Sequence, residues 1–468
     1  MLGSTLWLTL ATLLGLVAGF AREWLLVAAW GVGSRSDAFI VALFLPEALR
    51  MAFAAGLLSA AALPLFQQRD AEQREAWLCS LLPRTVLVGL VLALLMSVGA
   101  PLWVAVVGPG LSGEAAATAR ESLMLLAWSA PGILLHALLC VPLQAQSRFV
   151  LAGLGSLTFN LPPVLYLLAW GADSSAAGLA MACLVGSLCM PLLLLRSTWS
   201  LGWRPWKLGR GSGAGRELLA RMAPLFGSNL ASHGLALLER MVASLLGEGA
   251  VTWLNLARKL INLPLVALMS LNQVMLGLMS GRQGEERLAL LRRGLACTTL
   301  LSLPAVVGLI GGAAVLVALL MPSQAHDSAL VELVAWFAVP LLFSAWNALF
   351  ARYAYAGGDT VLPLRCELSG SLLNACLLGV LPFYLGLPGI ALAACAGVTL
   401  TGLLLLRRQG LWATLAWRSQ ASVALLAMAL AAYLLPLGSG HLAQLFSSAA
   451  AALILMLLLA VRLKPWRE

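Results

Sequence analysis

The chain has 468 residues, 61% of them hydrophobic and only 10% charged, with a mean hydropathy of +0.94. No soluble domain carries that balance, so the unit to count is the apolar stretch of about 20 residues that crosses roughly 30 Å of hydrocarbon. The net charge of +10 sits in short loops between apolar runs and not on one polar face, which excludes nucleic acid as a partner and points to membrane lipids.

Fourteen apolar stretches follow one another, near residues 5–30, 37–66, 80–106, 118–142, 150–171, 175–196, 218–245, 250–279, 294–320, 329–353, 361–383, 386–406, 419–437 and 441–462. The first has no basic leader and no small-residue cleavage site, and it runs straight into the second, so it reads as a spanning helix and not as a signal peptide. With the N-terminus inside, about twenty Lys and Arg residues fall in cytoplasmic loops, including Arg204, Lys207, Arg210, Lys464 and Arg467, against Arg35 and Arg120 outside. That asymmetry predicts an even helix count with both termini cytoplasmic. The predicted fold is therefore an all-α polytopic membrane protein of about 14 transmembrane helices.

The longest polar stretch, WRPWKLGRGSGAGRE within Arg196–Glu217, has the Gly, Ser and basic composition of a flexible linker. It divides the chain into an N-terminal six-helix bundle (1–196), a cytoplasmic basic linker (197–217), a C-terminal six-helix bundle (218–406), and a helix pair with a tail (407–468). The halves are weakly alike. FLPEALRMAF after Asp37 matches NLPLVALMSL after Asn255, and helices around Asn160 and Asn374 precede Gly178-Leu179-Ala180 and Gly389-Ile390-Ala391. Six helices per half predicts a parallel pseudo-repeat, with a site between the halves.

Ionisable residues inside a membrane cost several kcal/mol on insertion scales and face a cavity or a partner. Here they concentrate in four helices: Arg22 and Glu23; Asp37, Glu47 and Arg50; His233, Glu239 and Arg240; and Arg258 and Lys259 with Asn255 and Asn262. At 1.5 Å per residue, Arg22, Arg50 and Lys259 lie about 15, 20 and 14 Å from the outer ends of their helices, near mid-bilayer. Glu47 and Arg50 share a helix face, as do Asn255, Lys259 and Asn262. The excess of positive charge suits an anionic headgroup such as a pyrophosphate, which arginine holds bidentately. Two readings stay open: a cationic, water-filled cavity binding substrate through Arg22, Arg50, Lys259, Arg258 and Arg240, with Asp37, Glu23, Glu47 and Glu239 gating or coupling; or internal ion pairs, such as Glu47 with Arg50 and Glu239 with Arg22, that hold helices together. His136, His233, Asn160 and Asn374 read as helix–helix hydrogen bonds, and the eight cysteines as small packing residues. No HExxH, GxxxxGK[ST] or GxSxG occurs. The chain thus reads as a transporter and not an enzyme, with no cofactor, no catalytic residue and no metal, driven by a gradient, the membrane potential or substrate flux.

Three runs carry a family resemblance: GFAREWLLVAAWGVGSRSDAFIVALFLPEALRMAF, ASLLGEGAVTWLNLARKLINLP and YAYAGGDTVLPL. They resemble the G-F-x-R-[DE]…DAF-x-VA-x-x-x-P-x-x-x-R, Y-A-[DE]-R-L-x-x-x-P and F-Y-A-x-x-D-T-x-T-P patterns of the MviN/MurJ family of lipid II flippases. That family lies within the multidrug/oligosaccharidyl-lipid/polysaccharide exporter superfamily. The resemblance covers most of the chain and implies fourteen helices, the last two forming part of a lipid-tail groove. It also implies alternating access, in which bundles rock about a central cationic cavity in the bacterial inner membrane. Arg22, Asp37, Arg50 and the basic position held by Lys259 carry over. The sequence departs from the family at Leu16, Ala55 and Arg258, and Lys259 stands where an arginine is usual. The implied substrate is an undecaprenyl-pyrophosphate-linked glycan, either lipid II or an exopolysaccharide repeat unit, with glycosyltransferases or polymerases of the same pathway as partners. A cation-coupled multidrug exporter of the same superfamily and a non-transporting scaffold of an envelope-synthesis complex are the competing expectations.

Overall fold

A computed structural model describes residues 2–54, 57–146, 148, 151, 153–199, 213–320, 328–415, 417–434 and 441–463. The basic residues Arg204, Lys207 and Arg210 of the expected linker, and Lys464 and Arg467 of the tail, lie outside the described residues, as do the side chains of His233 and Asn262.

The described residues are mostly helical, with no strand among them. In hydrocarbon every backbone N–H and C=O must find its partner inside the segment, and a helix of Leu, Ala and Val achieves that without help. The helices are α1 (Leu2–Trp30), α2 (Ser34–Ala54), α3 (Leu57–Gln67), α4 (Ala71–Val98), α5 (Ala100–Val107), α6 (Gly113–Leu126), α7 (Ala130–Ala145), α8 (Gly155–Trp170), α9 (Ala176–Trp199), α10 (Ala214–Leu245), α11 (Ala250–Ser280), α12 (Gly284–Leu320), α13 (Ser328–Ala356), α14 (Val361–Leu378), α15 (Leu381–Leu385), α16 (Leu387–Arg408), α17 (Trp417–Leu434) and α18 (His441–Leu463). Eight helical segments are long and apolar enough to cross a membrane among the described residues, and Phe446–Arg462 is a shorter apolar one.

Several apolar stretches are broken where the sequence reads as continuous. Residues 80–106 divide into α4 and α5 at Gly99, with Pro101 in the first turn of α5. Residues 118–142 divide into α6 and α7 across a 3₁₀ turn at Ala127–Ser129, just before Pro131. Residues 361–383 divide at Gly379 and Val380, before Pro382. In each case a proline has no N–H for the preceding turn but fits the first turn of a new helix. Hydropathy averages over such joints.

Contacts divide the chain into two compact units, Met1–Thr252 and Trp253–Glu468. In the first, α8 packs against α1 and α9, and α7 against α4 and α9. A core of Leu65, Leu78, Leu138, Leu139, Val141 and Leu194 fills the space at one end. Small residues set the helix spacing: a Cβ on Gly186 of α9 would stand 2.4 Å from the Phe159 carbonyl oxygen of α8, so only glycine lets these backbones meet. Gly186→Ala is expected to destabilise the protein by about 1–3 kcal/mol, read as a lowered Tm in detergent; an unchanged Tm would mean that α8 and α9 part easily.

In the second unit, α12 packs against α13, α17 and α18, and α16 against α13 and α14. Trp346 Nε1 donates to Thr299 Oγ1 at 3.0 Å, and Thr299 donates to Gln420 at 2.8 Å. The chain of bonds joins α12, α13 and α17 through buried polar groups that would otherwise be costly in an apolar interior.

Candidate functional site: a buried arginine–carboxylate cluster and a capped helix

Within the first unit α1, α2 and α8 bring four charged side chains together. Arg22 of α1 is fully buried, and Glu23 nearly so. An arginine out of contact with water needs acceptors for its fork of donors, and Arg22 has three. Its Nη1 donates to Asn160 Oδ1 of α8 at 2.8 Å, and its Nη2 to Glu23 and, at 3.3 Å, to Glu47 Oε1 of α2. Asn160 is oriented in turn by its own Nδ2, which donates to the Ser156 carbonyl at 2.8 Å.

Arg50, one turn beyond Glu47, is held less closely. Its Nη2 stands 3.6 Å from Glu47 Oε1, and its Nη1 donates to Ser156 Oγ at 3.2 Å. Its guanidinium lies 5.0 Å from the centre of the Phe159 ring, a cation–π contact. Two cations and two carboxylates balance within the cluster. Its two arginines nevertheless differ: Arg22 is neutralised by two carboxylates, whereas Arg50 shares one of them at longer range.

The expected ion pair of Glu47 with Arg50 is present, whereas Arg22 pairs, among the described residues, with Glu23 and Glu47 and not, as expected, with Glu239. Asn160 makes the interhelical hydrogen bond expected of it, and His136 likewise joins helices, its Nδ1 lying 3.2 Å from the Met190 carbonyl. Nothing in the sequence marks Ser156 and Phe159, because a serine and a phenylalanine in an apolar helix carry no signal of their own.

Arg240 of α10, also in the first unit, stacks 4.3 Å from the Phe44 ring of α2, beside the buried Glu239. In the second unit Arg258 stacks 4.7 Å from the Phe337 ring, with Lys259 half-buried and Asn255 buried on the same helix.

Asp37 is not part of the cluster. It lies at the start of α2 and caps a different helix. Its carboxylate accepts from the Gly249 N–H at 2.7 Å, the Thr252 N–H at 2.8 Å and the Thr252 hydroxyl at 2.5 Å. These are N–H groups at the start of α11, which have no partner within their own helix, and a carboxylate there also meets the positive end of the helix dipole. The turn leading to them needs Gly247 at φ +123° and Gly249 at φ +82°, backbone angles that L residues rarely adopt. Ser36 joins the arrangement, accepting from Thr252 at 3.1 Å. Gly-Glu-Gly before a helix is the visible signal for the turn; its remote cap is not.

A sequence model of the family described as "Lipid II flippase MurJ" matches residues 26–459. The chain belongs to the lipid II flippase MurJ family. Asp37, Glu47, Arg50, Glu239, Arg240, Arg258 and Lys259 fall inside the match, and Arg22 and Glu23 just before it. Among curated relatives, the lipid II flippase MurJ of Burkholderia cenocepacia is 28% identical over 436 residues, covering 86% of this chain and 83% of its own. The probable lipid II flippase MurJ of Thermotoga maritima is 25% identical over 395 residues, covering 83% and 81%. Among solved structures, a lipid II flippase MurJ in an inward closed conformation superimposes with a TM-score of 0.85 at 20% identity, over 98% of each chain. An inward-facing multidrug resistance MATE transporter of the MOP superfamily superimposes at 0.72 with 17% identity, over 85% of this chain and 95% of its own. This chain therefore shares its fold with both the solved MurJ flippase and the MATE transporter, and it is a helical, multi-pass membrane protein of the MurJ family.

Proposed function

We propose that the chain is a flippase for an undecaprenyl-pyrophosphate-linked glycan, with lipid II as its substrate. It carries the headgroup from the cytoplasmic to the periplasmic leaflet of the bacterial inner membrane during peptidoglycan biosynthesis. The observation that carries this reading is the buried arginine cluster in a chain of the MurJ family. A buried guanidinium at mid-membrane is costly, and Arg50 keeps donor capacity that one shared carboxylate at 3.6 Å does not use up. A pyrophosphate competes for that capacity with two charge-assisted bonds. Arg22 positions Glu47, and Glu47 holds Arg50 until the anion arrives. Arg240, Arg258 and Lys259 supply further positive charge along the headgroup's route.

In this reading fourteen helices cross the membrane with both termini in the cytoplasm, as the distribution of Lys and Arg supports. Residues 1–196 and 218–406 form the parallel pseudo-repeat, and 407–468 the added pair. Transport follows alternating access, which the solved superfamily structures in inward-facing and outward-facing conformations support by analogy of fold. Asp37 acts as a periplasmic latch, holding the start of α11 against α2 in one state and releasing it in the other. The enzymes that assemble and polymerise the glycan are its partners in the pathway.

The test is growth. In a bacterium depleted of its essential lipid II flippase, this chain is expected to restore growth, and Arg50→Ala to abolish the rescue while still inserting in the membrane. An exopolysaccharide repeat unit is the second reading, favoured by Arg258 and Lys259, where the family pattern has an acidic residue and an arginine. Absence of rescue by an inserted protein, with loss of a secreted polysaccharide on deletion, would establish it instead.

A further inference from the structure

The second unit contains a cavity of about 390 Å³ away from all of these residues, between the start of α14 and the last turn of α16. Arg365 and Ser369 line it from α14, Arg408 and Leu404 from α16, and Asp359 from the turn before α14. Neither Arg365 nor Arg408 has a side-chain hydrogen bond or ion pair among the described residues. Asp359, the one carboxylate among the described lining residues, accepts the N–H groups of Val361 and Leu362 with Oδ1, both at 3.0 Å. It closes the helix terminus and leaves two guanidinium groups facing one space, while the Ser369 hydroxyl donates to the Arg365 carbonyl at 2.9 Å. Beside this polar face, Leu364, Leu368 and Leu372 are exposed at four-residue spacing, a single apolar stripe running up α14 from the cavity.

We propose that this cavity binds the phosphate headgroup of an anionic phospholipid, with the acyl chains lying along the leucine stripe of α14. Two arginines suit a phosphate by charge and by fork geometry. The neighbouring stripe suits a ligand whose phosphate continues into hydrocarbon, which free phosphate does not. Basic pockets between spanning helices at the cytoplasmic surface recognise anionic lipids in this way. Assignment to the cytoplasmic leaflet rests on the orientation proposed above; the binding itself does not.

The test is lipid retention by the purified full-length protein, read by native mass spectrometry. Phosphatidylglycerol, phosphatidylcholine and undecaprenyl phosphate are supplied in turn. The wild type is expected to retain phosphatidylglycerol over phosphatidylcholine. The double variant Arg365→Gln, Arg408→Gln is expected to bind phosphatidylglycerol about tenfold more weakly, with phosphatidylcholine unchanged. Arg365→Lys with Arg408→Lys, which keeps both charges, is expected to retain most of the binding. Equal phosphatidylglycerol retention by wild type and the Gln variant would overturn the proposal. So would selective loss of undecaprenyl phosphate alone, which would make the cavity a substrate site. The readout needs no transport, so a failed growth rescue leaves it standing, and its own failure leaves the flippase reading standing.

Discussion

Replacing Arg22 with alanine is expected to cost about 3–5 kcal/mol of stability, because it removes a fully buried guanidinium that pairs with both Glu23 and Glu47. The loss should appear as a large fall in Tm and in the yield of folded protein. Removing the charge on both sides tests the cause. Arg22→Gln combined with Glu23→Gln and Glu47→Gln replaces the ions by neutral hydrogen-bonding groups, and is expected to recover much of the Tm but not transport. If Arg22→Ala folds as well as the wild type, the guanidinium does not hold these helices together. Arg50→Ala makes the contrast. Its guanidinium has one carboxylate at 3.6 Å, a serine and an aromatic face, so its removal is expected to lower Tm far less than Arg22→Ala while abolishing transport.

The second large effect is expected at Asp37. Asp37→Ala removes the acceptor for two backbone N–H groups and one hydroxyl at the start of α11. A lost N-cap costs about 0.5–2 kcal/mol, and a charged, buried cap lies at the upper end. Amide hydrogen exchange should therefore rise at residues 249–254, with little change in α4 or α7. Asp37→Asn keeps an acceptor and loses the charge, so its exchange should fall between the two. If Asp37 acts as a latch, Asp37→Ala abolishes growth rescue even where folded protein reaches the membrane. Unchanged exchange at 249–254 would show that the start of α11 is held by other groups.

Composition and hydropathy were enough for an all-helical membrane chain, because the bilayer leaves so few solutions for a backbone. The breaks at Gly99, at Ala127–Ser129 and before Pro382 were not visible, since each joint is as apolar as the helices it separates. Glu47 with Arg50 was legible because residues three apart share a helix face. Arg22 with Glu23 was not, because neighbours on a helix point in different directions, and only the length of the arginine side chain lets its Nη2 reach the carboxylate. Asp37 was legible as an unusual charge, but its role as a cap for residues 249–252 depends on a contact more than two hundred positions away in the chain.

The most direct test of the central claim measures lipid II in the outer leaflet. In cells depleted of their own flippase and expressing this chain, a membrane-impermeant enzyme or label that attacks lipid II reports the fraction that has crossed. The account predicts that the chain restores the accessible fraction, and that Arg50→Ala, inserted to the same level, leaves lipid II inaccessible on the cytoplasmic side. Equal accessibility with the wild type and with Arg50→Ala, or none with either, would contradict it.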